Sequence, residues 1–338
     1  MKIILKTFKL LTVFLLVVGL TGCSSDDDNN TGGGVDSTTV VDVALANGFT
    51  SLAAALEATG LVSTLEGTGP FTVFAPTNDA FATLLSDTGL DLNNLSAAEE
   101  EVVRNILLNH VIIGATIEAQ TLIDAGSGYA STASPGPDNT ALSLYYNVNN
   151  GVVELNGGSG VAGGSNVTTP NVTATNGIIH VVDKVIARPT IATFATTNDA
   201  LSILVDALAY ADTGSPTVPW INTVSNGDAG PFTVFAPTND AFIGLLGELE
   251  LAALTDLDEA TVDAVLTYHV VNGANVTSGQ LTSGTVGTIG GDITADTNNF
   301  TLTDANGRVS NIVLSLVDIQ GTNGVVHVID RVILTPQG

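Results

Sequence analysis

A thirteen-residue segment that occurs twice without change restricts most strongly how this chain can fold. GPFTVFAPTNDAF spans residues 69–81 and again 230–242, an offset of 161 residues. Two further pairs of similar segments follow in the same order, 107–122 with 266–281 and 176–186 with 323–333. Chance does not produce an identity of that length, so the sequence predicts a duplicated domain rather than a short-period repeat.

Each copy is long enough to fold as one domain. The chain has 338 residues and is 44% hydrophobic, which suffices for two units of roughly 150 residues, each with its own core. The segment Arg188-Pro189-Thr190 closes the first copy and opens the second, so almost no linker remains. We therefore expect two abutting domains, at 38–189 and 190–338.

The pattern within one copy mixes helices and short strands. Residues 40–65 carry apolar side chains at helical spacing, with Gly60 as a break. Residues 71–75 form a short run of β-formers, and 178–186 are apolar on both faces, which is typical of a central strand. The strands after residue 110 are short and separated by turn residues. The expected class is α+β with mostly antiparallel strands.

The polar residues after the first strand are interpreted as structural. Thr77 is a good N-cap, Asp79 in the following turn suits the helix dipole, and Asn78 locks the turn. Ser96, with Glu99 three residues later, predicts a capping box for a helix through about residue 108. The first set recurs in the second copy as Thr238, Asn239 and Asp240.

Spacing separates the two copies. The first holds twelve extra residues in its later part, which we expect as surface loops among the Gly, Ser and Asn residues of 124–170. The second holds ten extra residues before its copy of the thirteen-residue segment, around Trp220.

Residues 1–22 have the pattern of an export signal. Three lysines precede an apolar run at 10–20 that is too short to span a bilayer as a helix. The run ends in Leu-Thr-Gly-Cys23, which resembles the lipobox of bacterial lipoproteins, and Cys23 is the only cysteine in the chain. We expect cleavage before Cys23 and lipidation of its thiol, which would anchor the protein to a membrane.

Residues 23–37 predict a flexible tether, because they contain three consecutive aspartates and no apolar periodicity. The acidic run after the cysteine resembles the signal that sends some Bacteroidetes lipoproteins to the outer face of the outer membrane. A solvated linker would contain the same residues. The expected location is therefore an exported protein, lipid-anchored to the bacterial outer membrane and exposed at the cell surface.

The charge excludes nucleic acid as a partner. The formal net charge is −26, and removal of the leader leaves five basic residues against 34 acidic ones. Nucleic-acid binding needs clustered Lys and Arg, and no such cluster exists in the sequence. Such a surface keeps a secreted protein soluble and monomeric, while basic partners and cations remain open.

The landmarks resemble those of the fasciclin domain, over nearly all of 38–336. The resemblance rests on FTVFAPTNDAF, the central Tyr268-His269 and the terminal NGVVHVIDRVI, in that order. It implies two tandem fasciclin-like domains, each a β-wedge or sandwich of short strands flanked by helices, with a role in adhesion. Residues around the Tyr-His pair are linked to partner binding in animal members, which makes Tyr268 and His269 candidate contact residues. The first copy has Asn109 in place of the tyrosine.

The four histidines lie at matched landmarks, two in each copy: His110, His180, His269 and His327. This placement invites a metal or proton-relay hypothesis, but no cysteine partner and no HExxH spacing accompany it. Two of the four lie in apolar strands, where neutral imidazole can bond to the backbone. We interpret them as core hydrogen-bonding residues and expect neither a metal nor a cofactor.

The sequence offers no catalytic motif. Residues 158–163 fit GxGxxG, but no helix follows them, and neither GxSxG nor a P-loop occurs. Asp183-Lys184 and Asp330-Arg331 favour structural ion pairs over catalysis. Asp292, Asp296 and Asp304 lack the spacing of a dedicated calcium loop. The chain is therefore interpreted as a non-enzymatic binding protein.

Two functions fit this interpretation. The first is surface adhesion, in which the tether lifts two rigid domains that contact a protein or polysaccharide partner. The alternative is an accessory lipoprotein in nutrient acquisition that captures a small ligand or glycan. An aromatic-lined pocket near Trp220 would favour the alternative.

Overall fold

The computed structural model describes residues 38–336. The predicted export signal, the tether and the lipidation site Cys23 lie outside the described residues. Within 38–336, no helix combines the length and the hydropathy that a membrane span requires.

The first copy, here called repeat 1, alternates helices with strands. Its helices are α1 (Val40–Ala46), α2 (Thr50–Ala58), α3 (Val62–Leu65), α4 (Asn78–Thr88), α5 (Ala97–Asn109) and α6 (Ala119–Ala125). Its strands are β1 (Phe71–Pro76), β2 (Val111–Ile113), β3 (Ser127–Pro135), β4 (Ala141–Asn149), β5 (Val152–Leu155), β6 (Ser165–Ala174) and β7 (Gly177–Val182).

The second copy, repeat 2, has a similar order of elements, but the described residues hold no helix that corresponds to α6 and the strands of its later part are mostly shorter. Its helices are α7 (Ile191–Thr197), α8 (Ser202–Asp212), α9 (Trp220–Ser225), α10 (Asn239–Glu248) and α11 (Glu259–Thr267). Its strands are β8 (Phe232–Pro237), β9 (Val270–Asn272), β10 (Gly284–Gly287), β11 (Asp292–Asp296), β12 (Thr301–Thr303), β13 (Val309–Asn311), β14 (Ile319–Gly321) and β15 (Gly324–Ile329). Helices and largely antiparallel strands confirm the predicted α+β class.

A parallel strand pair lies inside each repeat. In repeat 1, β1 pairs with β7 in parallel register from Phe71↔Gly177 to Pro76↔Val182, and in repeat 2 β8 pairs with β15 in the same way. All six residues of β1 are buried. Phe71, Val73 and Ala75 join the core beneath the helices, while Phe74 joins the core among the strands. The strand is apolar on both faces because it separates two cores.

The local signals at helix starts are confirmed. Thr77 accepts a hydrogen bond from the backbone N–H of Ala80 at 3.2 Å and opens α4. Ser96 and Glu99 form the predicted capping box of α5. The helical pattern of residues 40–65 resolves into three helices, with Gly60 at the second break.

Two expectations about repeat 1 were wrong. The extra residues of 124–170 do not form surface loops; most of the segment lies in the long strands β3, β4 and β6. Several of its polar side chains, among them Ser134 and Ser143, are buried in these strands beside apolar ones such as Leu142 and Leu144. The terminal strand also ends at Val182 rather than at residue 186, since the chain bends after Asp183.

The sheets of the two repeats differ as a result. Repeat 1 has one seven-stranded sheet in the order β2-β1-β7-β6-β5-β4-β3. Repeat 2 divides its strands into two four-stranded sheets, β14-β15-β8-β9 and β10-β11-β12-β13. An isolated bridge between Ile312 and Ile329 links these two sheets.

The repeats share part of a core. Tyr145 of β4 is buried in the apolar cluster that contains Phe194 of α7. Tyr129 of β3 packs against both rings, at centroid distances of 5.1 Å to Tyr145 and 5.6 Å to Phe194. The backbone N–H of Gln320 in β14 also donates to the Ser143 hydroxyl at 2.9 Å. The described residues therefore form one compact unit.

Replacement of Tyr145 by alanine should uncouple the two repeats. The change removes an aromatic side chain of repeat 1 from the core of repeat 2, at a cost of about 3 kcal/mol. Differential scanning calorimetry should show one transition for the wild type and two for Tyr145→Ala. Tyr146→Ala is the matched control, because the neighbouring ring packs in the core of repeat 1 itself. A single transition in both variants would contradict the shared core.

Candidate functional site

His110 and His269 each join a helix end to the last segment of their repeat. The Nδ1–H of His110 donates to the carbonyl of Ile106 at 2.8 Å, while its Nε2 accepts the backbone N–H of Ile186 at 2.9 Å. His269 makes the equivalent bonds to Val265 and Ile333 at 2.9 and 3.0 Å. Both rings are 2% exposed. The accepting nitrogen must be unprotonated, so this geometry requires the neutral Nδ1–H tautomer.

His180 and His327 use the opposite tautomer inside the central strands. Their Nε2–H groups donate to the carbonyls of Ile117 and Val276 at 2.8 and 2.9 Å. Their Nδ1 atoms accept backbone N–H groups, from Asn171 at 3.3 Å and from Asp318 at 3.4 Å. Each ring also stacks on the phenylalanine of the adjacent parallel strand.

Burial keeps these rings neutral. Desolvation lowers the pKa of His110 and of His269 to about 4. Desolvation also lowers the pKa of His180 and His327, and the nearby Asp318 carboxylate only partly offsets this for His327. Every ring nitrogen already has a backbone partner, which leaves none for a ligand. Within residues 38–336, no three His, Cys, Asp or Glu side chains come together where they could hold a metal ion.

Each repeat contains one buried asparagine, not singled out by the sequence analysis, that bonds its first helix to its last strands. The Asn176 side chain accepts the backbone N–H of Val40 at 2.8 Å and donates to Leu65 O at 2.7 Å. Asn323, fully buried, accepts from Ile191 N–H at 2.9 Å and donates to Val224 O at 3.0 Å. Each asparagine therefore ties the first helix of its repeat to the terminal hairpin. Their repetition was a signal, but an Asn-Gly pair in a sequence indicates only a turn.

A threonine that recurs in both repeats holds the segment after β2 and the segment after β9 in place. The buried Thr72 hydroxyl donates to Ala115 O and accepts from Ile117 N–H, both at 2.9 Å. Thr233 makes the equivalent pair of bonds in repeat 2, to Ala274 and Val276. These polar groups are satisfied entirely by the chain's own backbone, as buried polar groups require.

The predicted polar group at the start of α4 is divided between two tasks. Thr77 caps the helix, whereas Asn78 bonds across to the start of α2, through Ser51 N–H at 3.0 Å and Gly48 O at 2.9 Å. Asp79 is exposed in the first turn. Thr238, Asn239 and Asp240 occupy the same positions in repeat 2, with Asn239 bonded to Ile203 N–H at 2.9 Å.

The Tyr268-His269 pair lies inside repeat 2. Tyr268 is 9% exposed, and its ring packs under the turn at Gly290. A Cβ atom at Gly290 would lie 2.3 Å from the tyrosine ring, so the turn follows the ring closely. A partner cannot reach either side chain unless the ring leaves the core. A role of this pair in partner contact stays a prediction.

Trp220 does not line a surface pocket. It is 1% exposed, and its Nε1–H donates to Asp263 at 2.7 Å. The same carboxylate accepts the backbone N–H of Thr217 at 2.8 Å. The ten extra residues of repeat 2 thus bring a structural anchor. The ligand pocket that would have favoured the nutrient-acquisition alternative is not at this residue.

The aspartates considered for calcium do not converge. Asp304 is 6% exposed and accepts the backbone N–H groups of Arg308 and Leu334, both at 3.0 Å. Asp296 caps its own turn by accepting from Asn298 N–H at 2.9 Å. Both carboxylates serve the fold.

Within residues 38–336, every basic side chain makes a hydrogen bond to the chain itself. Glu248 receives hydrogen bonds from Arg308 and, at 2.9 Å, from Arg331, and the Arg308 bond lowers the pKa of its carboxyl. The remaining basic side chains of the described residues also bond within the chain: Arg104 to Thr59 O, Lys184 to Ser159 O, and Arg188 to Ser134 and Pro135. The uncompensated charge left on the surface is therefore acidic.

Comparison with protein families identifies two matches to the Fasciclin domain, at residues 47–188 and 200–335. One match lies in each repeat. The two matches together cover most of the chain.

Individual relatives match one repeat or both. Protein sll1483 of Synechocystis is 38% identical over 148 residues, which are 44% of this chain and 74% of that protein. Human periostin is 28% identical over 287 residues, 82% of this chain and 30% of periostin. Cell surface glycolipoprotein MPB83 of Mycobacterium bovis is 33% identical over 153 residues, 44% of this chain and 62% of that protein. The chain thus spans less than a third of periostin.

One solved structure resembles both repeats together. The FAS1 domain pair of the insect cell adhesion molecule fasciclin I covers 87% of this chain and 95% of its own, at 18% identity and a TM-score of 0.47.

The buried histidines should make the protein acid-sensitive between pH 6.5 and 4. Because the folded-state pKa of His269 lies near 4 and the unfolded value near 6.5, the unfolded chain binds more protons in this range. The free energy of unfolding of the protein therefore falls as the pH drops, by up to about 1.4 kcal/mol per pH unit for each such histidine. Urea unfolding at several pH values measures the slope.

His269→Asn removes the titrating group and provides the control. The variant should be less stable than the wild type at pH 7, because Ile333 N–H loses its acceptor, yet its stability should fall less steeply with acid. Parallel pH profiles for the two proteins would contradict a neutral buried imidazole.

Loss of the Asn323 side chain should destabilise repeat 2 strongly. Asn323→Ala leaves a buried N–H and a buried carbonyl without partners, which costs roughly 2–4 kcal/mol. Urea unfolding should show this loss, whereas the control Asn222→Ala, at an exposed position of α9, should stay within about 0.5 kcal/mol of the wild type. Equal stability of the two variants would exclude the proposed tie between helix and hairpin.

Proposed function

The chain belongs to the Fasciclin domain family, as its landmarks predicted, and from this premise we propose that it is a surface-anchored adhesion lipoprotein. In this proposal the lipid on Cys23 holds the protein to the outer membrane, and the tether at 23–37 carries the two domains at 38–189 and 190–338 outward. The domains bind a protein or polysaccharide of the cell surface or matrix. They act by binding and not by catalysis.

The proposal rests on the hydrogen-bond partners of the polar residues that both repeats share. The histidine, asparagine and threonine pairs that both repeats share bond to the chain's own backbone, so they serve to hold a rigid body. A group that must attack, or transfer a proton to, a substrate needs free hydrogen-bonding capacity and access. The shared residues have neither, which supports a role in presenting a surface.

The relatives support the outward location. MPB83 is named as a cell surface glycolipoprotein. The Leu-Thr-Gly-Cys23 motif of this chain agrees with the lipoprotein class. The acidic surface favours partners that carry positive charge, and such contacts weaken as salt rises.

Deletion of the gene tests the proposal directly. The deletion strain should attach less to surfaces or to other cells, and the wild-type gene should restore attachment. Cys23→Ser should release the protein into the medium and fail to restore attachment, because the lipid anchor is lost. Protease treatment of intact cells should remove the wild-type domains. A deletion strain that attaches like its parent would refute the adhesion function.

A further inference from the structure

A groove lies where the two repeats meet. Its volume is about 460 Å³, and its walls come from residues 127–131 of β3 in repeat 1 and from residues 315–319 in repeat 2. Both walls are fixed in position: Tyr129 packs against Phe194 of repeat 2, and Gln320 bonds to Ser143. The groove is therefore already formed in the free protein.

The repeat 1 wall is a free strand edge. β3 is the outermost strand of its sheet and pairs only with β4. Opposite Tyr129 in that pairing stands Tyr145, which directs its N–H and C=O to Asn156 on the far side of β4. Tyr129 and Tyr145 are thus a non-hydrogen-bonded pair, and Tyr129 must direct its own backbone groups outward.

The alternation extends this property along the strand. The register between β3 and β4 is regular from Ser127 to Ser131. Since backbone direction alternates, Ser127, Tyr129 and Ser131 all direct their N–H and C=O groups away from β4, while Gly128 and Ala130 bond to it. Three pairs of donors and acceptors therefore face the groove over about 14 Å.

The opposite wall also offers backbone groups. Within the part of the chain that the structure describes, the N–H and C=O groups of Ser315 and Val317 make no hydrogen bond. These two residues lie in a turn and an irregular segment rather than in a strand. The regular row of donors and acceptors that an extended chain could pair with is therefore the one on β3.

The irregular register and the proline of β3 lie beyond Ser131, so the edge at 127–131 is regular and unprotected. Residues 127–131 are Ser-Gly-Tyr-Ala-Ser, without a charge or a proline, whereas natural proteins commonly block a bare edge with Lys, Pro or a bulge. Asp318 is the one charged residue that lines the groove. Its side chain is 40% exposed, and its two oxygens accept hydrogen bonds from the backbone N–H and the hydroxyl of Ser278. The exposed negative charge of Asp318 favours a basic occupant.

We propose that this groove binds an extended, basic peptide segment of another protein, which pairs with the outer edge of β3 and places a Lys or Arg side chain against Asp318. The proposal rests on the adhesion function and names its contact site and class of partner. A polysaccharide lacks the regular row of amide groups that such an edge recognises, so the geometry favours a peptide.

A synthetic peptide tests the pairing with the wild-type protein. The probe is the blocked peptide Lys-Val-Thr-Val-Thr-Val-Lys, and the control is the same sequence with every second amide N-methylated, which keeps the charge and removes the donors. Isothermal titration calorimetry should give at least about tenfold weaker binding for the control, as expected when backbone hydrogen bonds carry the affinity.

Two protein variants locate the site. Ser131→Pro removes one outward N–H at an exposed edge position, where proline is tolerated, and should weaken binding of the probe about tenfold. Ser131→Ala keeps that N–H and should bind within about twofold of the wild type. Asp318→Asn keeps the residue shape and an acceptor for the Ser278 N–H, and it should weaken binding of the probe and remove most of its salt dependence.

The outcomes distinguish this site from the function it serves. Equal binding of the two peptides, unchanged binding by Ser131→Pro with an unchanged melting temperature, dimerisation of the protein through the same edge, or glycan binding that Ser131→Pro abolishes would each overturn the peptide assignment. The adhesion function would survive all four results, because loss of attachment on gene deletion tests it independently.

Discussion

Each repeat depends on the parallel pairing of two strands that are about a hundred residues apart in sequence. β1 meets β7, and β8 meets β15, over six residues each. Closing so long a segment costs chain entropy before any contact rewards it. Burial of Phe71, Val73 and Phe74 on opposite faces of one strand supplies the compensating free energy, because the strand serves two cores at once. The chain between the two paired strands must therefore fold so that its ends meet.

The repeated polar residues hold the segments between the paired strands in place. His110 fixes the helix end to the chain after β7, Thr72 fixes the segment after β2, and Asn176 fixes the first helix to the terminal hairpin. All three are buried and bond to backbone groups that no strand or helix partner satisfies. An unpaired buried amide costs more free energy than a made bond returns, so replacing any of them is costly. Catalysis would require leaving such groups free.

The part of this design that could be predicted from the sequence is the local part. The cap at Thr77 and the capping box of Ser96 and Glu99 involve residues within one turn, so their residue types indicate the contact. The tie from Asn323 to Ile191 spans 132 residues, and no local pattern encodes it. The extra residues among 124–170 were expected in surface loops because Gly, Ser and Asn indicate turns in isolation. Pairing with a neighbouring strand lets the same residue types lie within strands.

The proposed groove is formed where the two repeats differ, and the residues that they share do not line it. The identical strands β1 and β8 lie in the two cores, and all six residues of each are buried. The long β3 of repeat 1 has no counterpart of its length in repeat 2, whose strands in this region are three to five residues long. Residues 315–319 come to face β3 only because Tyr129 and Tyr145 enter the core beside Phe194. Recognition at that groove would therefore belong to the pair of domains, and neither repeat could supply it alone.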